Sequence, residues 1–269
     1  MKFSAPLPVR WVQEVAFWVR QRQDRVLPDG LIIGAQKAGS SALYWHLLKH
    51  PEIAGVITRP GPWVVHAKEV HFFDYEENFL KGERWYRAQF PRSGCEKFVI
   101  EATPDYIYGS AVQERMHQTL PHARLVLSLR DPVDRAYSHF RHLAKRGRVT
   151  APFEQVLKDA MTSQDDQRGA GSMIARGRYA EQLEELFTRY PREQVHVVDF
   201  REIERNPAAV TRGITRHFGL SDIDLGPIAP RNIGREMGRM DPQTERMLRE
   251  YYEPHNRRLE ALLGYSMGW

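Results

Sequence analysis

Three short stretches of this chain combine residue types that do chemistry. The first is Gly34-Ala35-Gln36-Lys37-Ala38-Gly39-Ser40-Ser41. Two glycines permit a tight turn whose backbone N–H groups converge, and a helix beginning there adds its positive end, so the stretch suits a phosphate-like anion. Lys37 supplies a full charge, and Ser40 and Ser41 supply hydroxyls. The second stretch is Lys68-Glu69-Val70-His71-Phe72-Phe73-Asp74. Glu69 can take a proton from an attacking hydroxyl or amine, and His71 can orient it or share the proton. The two project to one side if the segment is extended. The competing reading is that Lys68 and Glu69 are a solvated pair on a loop and His71 is structural. The third is Arg130-Asp131-Pro132-Val133-Asp134-Arg135-Ala136-Tyr137-Ser138. Arg130 and Ser138 together can grip another phosphate, or Arg130 can pair with Asp134 on the surface.

The first stretch is not a Walker loop, G-x-x-x-x-G-K-[ST]. Ser40 follows Gly39, and the lysine stands in mid-loop at Lys37. The apolar run 124–129 leads into Arg130 rather than into a carboxylate that would hold Mg²⁺. His46 and His50 are four apart, but Leu47 follows His46 and no third ligand is evident, so they are read as surface or packing residues and no metal is expected.

These stretches need a scaffold, and strand patterns alternate with helical ones from residue 30 onward. Leu31-Ile32-Ile33, Phe98-Val99-Ile100, residues 124–129 and Val195-His196-Val197-Val198 read as buried strands. Helices are expected over 41–48, 113–120, 179–190, 207–218 and from Asp241-Pro242 to about residue 263. Asp131-Pro132 reads as an N-cap followed by proline at the first helical position. Residues 51–71 read as irregular, 151–175 as a polar stretch containing a mobile loop over 162–171, and 219–241 as a Gly/Pro-rich loop. The pattern predicts one α/β domain over 27–269, with a central parallel sheet, helices on both faces and a P-loop-like anion-binding loop. Arg130 falls at a strand's carboxyl end, where such sheets bind ligands.

The 269 residues are 42% hydrophobic, enough for a sizeable core, and the single cysteine, Cys95, allows no internal disulfide. A net charge of +5 without any long Lys/Arg run argues for a small anionic ligand over nucleic acid. No apolar stretch is long enough to span a membrane, and no signal peptide is evident. A cytoplasmic location is expected. Residues 1–26 read as an amphipathic helical segment, with Val9, Val12, Val15, Trp18 and Val19 at helical spacing. That segment suits docking on the domain or on a second copy, or peripheral membrane contact through residues 9–20. Oligomeric state is not readable.

In order and spacing the chain resembles the sulfotransferases that use 3′-phosphoadenosine-5′-phosphosulfate (PAPS), in particular the heparan-sulfate N- and 3-O-sulfotransferase branch with its bacterial relatives. The resemblance covers roughly residues 30–269. It implies that Gln36, Lys37, Ala38, Gly39, Ser40 and Ser41 hold the 5′-phosphosulfate and that Arg130 and Ser138 hold the 3′-phosphate. It implies that Glu69 is the general base, with Lys37, Lys68 and His71 in supporting catalytic roles. Glu101-Ala102-Thr103-Pro104-Asp105-Tyr106 is similar to the segment lining the acceptor cleft, and Arg176-Gly177-Arg178-Tyr179 to a later helix. Asn232-Ile233-Gly234-Arg235 and Arg239 resemble the C-terminal cofactor loop, which adds Gly234, Arg235 and Arg239 to the cofactor contacts. The products would be PAP and a sulfated carbohydrate, lipid or secondary metabolite. A sulfuryl group carries fewer charges than a phosphoryl group, so transfer without a metal is expected.

Some positions depart from the heparan enzymes. Ala102 stands where the 3-O-sulfotransferases carry lysine, Ile233 replaces a lysine, and Cys95 has no partner for their disulfide. Arg59, Trp63 and His66 are candidate lining of the acceptor entry, and Glu101 a candidate brace of the anion loop. The competing readings are a P-loop nucleotide kinase, which EDTA would inactivate, and a non-catalytic nucleotide-binding protein, which would bind cofactor without turnover.

Overall fold

The computed structural model describes residues 19–57, 68–94, 97–162, 169–229 and 238–269. Five strands form its sheet: β1 (Gly30–Gly34), β2 (Ile53–Ala54), β3 (Phe98–Ala102), β4 (Arg124–Leu129) and β5 (Val195–Asp199). Their order is β2-β3-β1-β4-β5 and every pairing is parallel. Parallel strands need crossovers, and the helices that supply them cover both faces.

Alternation along the strands divides the core. Leu31, Ile33, Val99, Leu125, Leu127 and Leu129 face one side, and Ile32, Ile100 and Val126 the other. The second side is covered by α1 (Ser40–Leu47) and later by α9 (Phe200–Arg205) and α10 (Pro207–Phe218). The first side packs against α4 (Ser110–Thr119), α8 (Tyr179–Phe187) and α11 (Pro242–Leu263). It also takes an aromatic block of Phe72, Phe73, Tyr86 and Phe90, the last two from α3 (Glu83–Arg87) and the turn after it. Two further helices precede and follow β3's crossover: α2 (Glu76–Phe79) and α5 (Pro132–Lys145).

The local signals behave as expected at the helix starts. Asp131 accepts from Val133 N at 2.9 Å ahead of Pro132, and Asp241 accepts from Thr244 N at 2.9 Å ahead of Pro242. Two expectations are corrected. Most of 151–175, including the ends of the expected mobile loop, is helical: α6 (Phe153–Thr162) and α7 (Gly169–Ala175). Phe153, Val156, Leu157 and Ala160 form a stripe at helical spacing that packs on α5 and α11, and burying it outweighs the polar composition. Residues 51–71, expected to be irregular, hold the short strand β2, and α2 and α3 follow that span.

Most of segment 1–26, Arg59, Trp63, His66, Cys95, residues 163–168, Gly234 and Arg235 lie outside the described residues. Within that N-terminal segment, Arg25 Nη1 donates to Phe90 O at 2.5 Å and Val26 N to Pro91 O at 3.2 Å, so its end is docked on the domain. No described helix is long and apolar enough to cross a membrane.

Leu127 is fully buried in the middle of β4. Leu127→Ala is expected to destabilise the fold by about 3 kcal/mol, read as a lower urea midpoint with unchanged slope.

Candidate active site

The turn between β1 and α1 carries the first motif at the carboxyl edge of the sheet. Ala35 N donates to Ser128 O at 2.7 Å, and Ser128 Oγ donates to Ala38 O at 2.6 Å, so β4 fixes the loop from beneath. Gly39 has φ +87°, and a Cβ there would stand 2.9 Å from Ile203 and 3.1 Å from the Phe200 ring; both the conformation and the space require glycine. Lys37 also adopts a left-handed φ of +74°, an uncommon state for a residue with a side chain. Ser40 is buried, Ser41 half-buried, and no side chain caps the N-terminus of α1. The helix's first N–H groups are therefore available to a ligand.

Arg130 joins this loop. Its Nη1 lies 3.5 Å from Lys37 O, its guanidinium stacks 4.8 Å above Phe200, and Tyr179 donates to its carbonyl at 2.8 Å. It stacks there rather than closing an ion pair on exposed Asp134. Arg130 Nε and Gln36 Oε1 are buried without a hydrogen-bond partner. Burial, then the charges of Arg130 and Arg146, bring Lys37 down to about 8. An uncapped helix end, a depressed lysine and an orphaned arginine nitrogen fit a bound polyanion. Ser138 is half-buried on the second turn of α5 without a described contact to Arg130, and Arg239 is exposed ahead of α11.

The second motif lies beside the first, since the field of Glu69 acts on Lys37. Lys68 is buried and donates to Glu69, whose side chain is 31% exposed. His71 approaches Glu69 at 3.6 Å, an ion-pair rather than a hydrogen-bond distance, and meets Asp74 at 2.6 Å through Nδ1. The segment is not extended at His71, which has φ +54°. Residues 69 and 71 meet through this turn, which corrects the alternation expected from the sequence. Burial would push His71 down, but Asp74 and Glu69 outweigh it and raise it to about 10. Burial would push Glu69 up, but His71 and Lys68 hold it at about 2. At neutral pH the pair is carboxylate and imidazolium. Tyr75 stacks on the imidazole with centroids 4.4 Å apart and is 48% exposed.

Glu101 corrects another expectation. It does not brace the anion loop; it accepts from Val70 N, Thr103, Tyr86 and Tyr106, so it braces the second motif. Ala102 is fully buried and presents nothing to the cleft. His46 and His50 are buried packing residues, bonded to Thr211 at 2.9 Å and Ser221 O at 3.1 Å. Sequence reasoning missed Asp74, although its i,i+3 spacing from His71 was a signal, and the Asp105–Arg176 ion pair beside it. His71, Asp74 and Asp105 bring ligand atoms within 4.8 Å of one another, but a protonated imidazole and an aspartate paired to Arg176 are poor partners for a cation.

Comparison with known proteins is consistent with this geometry. Residues 65–224 match the model of the sulfotransferase family. The chain belongs to that family. Among curated relatives of this sulfotransferase-family chain, the bifunctional heparan sulfate N-deacetylase/N-sulfotransferase of Drosophila melanogaster is 29% identical over 291 aligned positions, which take in 94% of this chain and 27% of the relative. The heparan sulfate glucosamine 3-O-sulfotransferase 5 of Mus musculus is 26% identical, across 90% of this chain and 74% of the relative. The chain thus spans less than a third of the length of the first of these. The crystal structure of a sulfotransferase from Alicyclobacillus acidocaldarius superposes with a TM-score of 0.73 at 28% identity, covering 90% of this chain and 98% of that one.

The raised pKa has a testable sign. His71 should titrate near 10 by NMR, and Asp74→Asn should bring it back toward its ordinary value of 6.5. Its stabilising contribution is full below about 6.5 and fades as pH rises through about 10.

Proposed function

We propose that this chain transfers the sulfuryl group of PAPS to a hydroxyl or amine of a carbohydrate, lipid or secondary-metabolite acceptor. The observation that carries the reading is the convergence of Lys37, Arg130 and an uncapped helix end with Glu69 at one sheet edge. PAPS supplies an electrophilic sulfur on a phosphate leaving group. Gln36, Lys37, Ala38, Gly39, Ser40 and Ser41 hold the 5′ side, and Arg130 with Ser138 the 3′-phosphate. Gly234, Arg235 and Arg239 are proposed to complete that grip. Lys37 offsets charge on the departing bridging oxygen, and the buried ammonium of Lys68 adds to that field.

Glu69 takes the acceptor's proton as the new S–O or S–N bond forms and the bond to phosphate breaks. A carboxylate held at about 2 is a weak base toward a free alcohol. It becomes adequate once bond formation makes the acceptor oxygen strongly acidic, so proton transfer is late. His71, already protonated, orients Glu69 rather than competing for the proton. No step needs a covalent enzyme intermediate.

Calorimetry with PAP in EDTA, with AMP and ATP as controls, tests the donor. Tight binding that requires the 3′-phosphate and weakens at least about tenfold in Arg130→Ala is expected. Equal binding of AMP or ATP would sink the reading and favour a kinase or a nucleotide-binding protein. PAP affinity should also fall as pH rises past about 8, where free Lys37 loses its proton, and Lys37→Arg should remove that fall.

A further inference from the structure

Glu101 is fully buried at the end of β3, a position where an ionised carboxylate is costly unless its lone pairs are taken up. Here they are. Oε1 accepts from Val70 N at 3.1 Å, Thr103 Oγ1 at 2.6 Å and Tyr106 OH at 2.9 Å, and Oε2 accepts from Tyr86 OH. Tyr106 OH in turn accepts from Phe72 N at 2.9 Å. A third backbone bond, Ala102 N to Lys68 O at 3.2 Å, ties the same segment to β3. Lys68, Val70 and Phe72 are thus each held, and Glu69 and His71 are the residues between them. His71 sits in a left-handed conformation that costs free energy and persists only where its neighbours are fixed.

We propose that Glu101 is a positioning residue that, through Val70 N and the Tyr106–Phe72 relay, sets the geometry of the Glu69–His71 pair. It touches no reacting atom. Its catalytic consequence rests on the sulfuryl-transfer reading; the geometric statement does not. Two tyrosines separate the role from plain packing. Tyr106 and Tyr86 are both fully buried and both donate to Glu101, yet Tyr106 also receives a bond from the segment. Tyr86 touches the segment by its ring, stacked on Phe72 at 4.4 Å, and phenylalanine would keep that ring.

The test is the NMR titration of His71 in the full chain, for Tyr106→Phe, Tyr86→Phe and Glu101→Gln, with melting temperature and PAP affinity alongside. His71 reports the geometry because its proton is held by Glu69 and Asp74, with Asp105 near, Lys68 on Glu69, Arg176 on Asp105 and Tyr75 on its face. Tyr106→Phe is expected to lower the His71 pKa by about one unit or more, with PAP affinity within about twofold. Glu101→Gln should shift it in the same direction. Tyr86→Phe should lower the melting temperature while leaving His71 in place. Equal shifts in the two tyrosine variants, or none in either, overturn the proposal, and Tyr106→Phe decides it even if Glu101→Gln fails to fold. The titration needs no acceptor. Variants that behave as expected in a protein that turns over no PAPS would therefore count against the transfer reading and not against the role of Glu101.

Discussion

The half-buried charge of Lys37 lies close to a second cation, Arg130, at the open end of a helix. Two positive groups and an uncapped helix terminus at one sheet edge repel one another, and that repulsion adds to burial, the larger cause, in depressing Lys37. The protein offsets it in part with the field of Glu69 and with the face of Phe200 under the guanidinium. The remainder is available to an anion. The loop is rigid enough to keep the charges together because β4 bonds it twice and glycine at 39 lets it pass within contact of α9. Removing those supports would let the cations separate and solvate, and the site would lose its preorganisation.

The anion loop and Arg130 were legible in the sequence because local rules build them. An apolar run, a glycine turn, a helix start and an arginine at a strand end are contiguous features, and the parallel sheet follows from their alternation. The capping aspartates 131 and 241 were readable for the same reason. The segment bearing Glu69 and His71 was legible only as a motif. What gives Glu69 and His71 their geometry is a set of bonds to residues 31 to 34 positions away, Val70 to Glu101 and Phe72 to Tyr106, and no periodicity encodes those. The helices α6 and α7 were missed because a polar composition hid a short apolar stripe whose partners are on α5 and α11.

That contrast has a consequence for how the molecule divides its work. The anion loop is part of the sheet itself, so changing it disturbs the β1–β4 pairing on which the core depends. The segment bearing Glu69 is docked from outside by a buried carboxylate, two tyrosines and an aromatic block. Residues pointing outward from that segment, such as Tyr75, can change without touching the donor site. On the proposed reading, a scaffold of this kind could keep one donor while its acceptor varies. The alanine at 102 fits the same division: a fully buried methyl at the end of β3 serves packing and presents nothing to the segment's outer face.

The electrostatics of the two halves also work in opposite senses. Lys37 is destabilised as a cation, so an incoming anion would stabilise its charge, whereas Glu69 and His71 are overstabilised as an ion pair. On the proposed sulfuryl-transfer reading, a site poised this way would resist proton transfer until an acceptor is forming its bond to sulfur, because only then would the acceptor oxygen become more acidic than a carboxylate held near 2. On that reading, water that enters early would meet a carboxylate too weak to deprotonate it. The same low basicity that slows any reaction at rest would, on that reading, act as a form of selectivity, favouring an acceptor held in line over solvent.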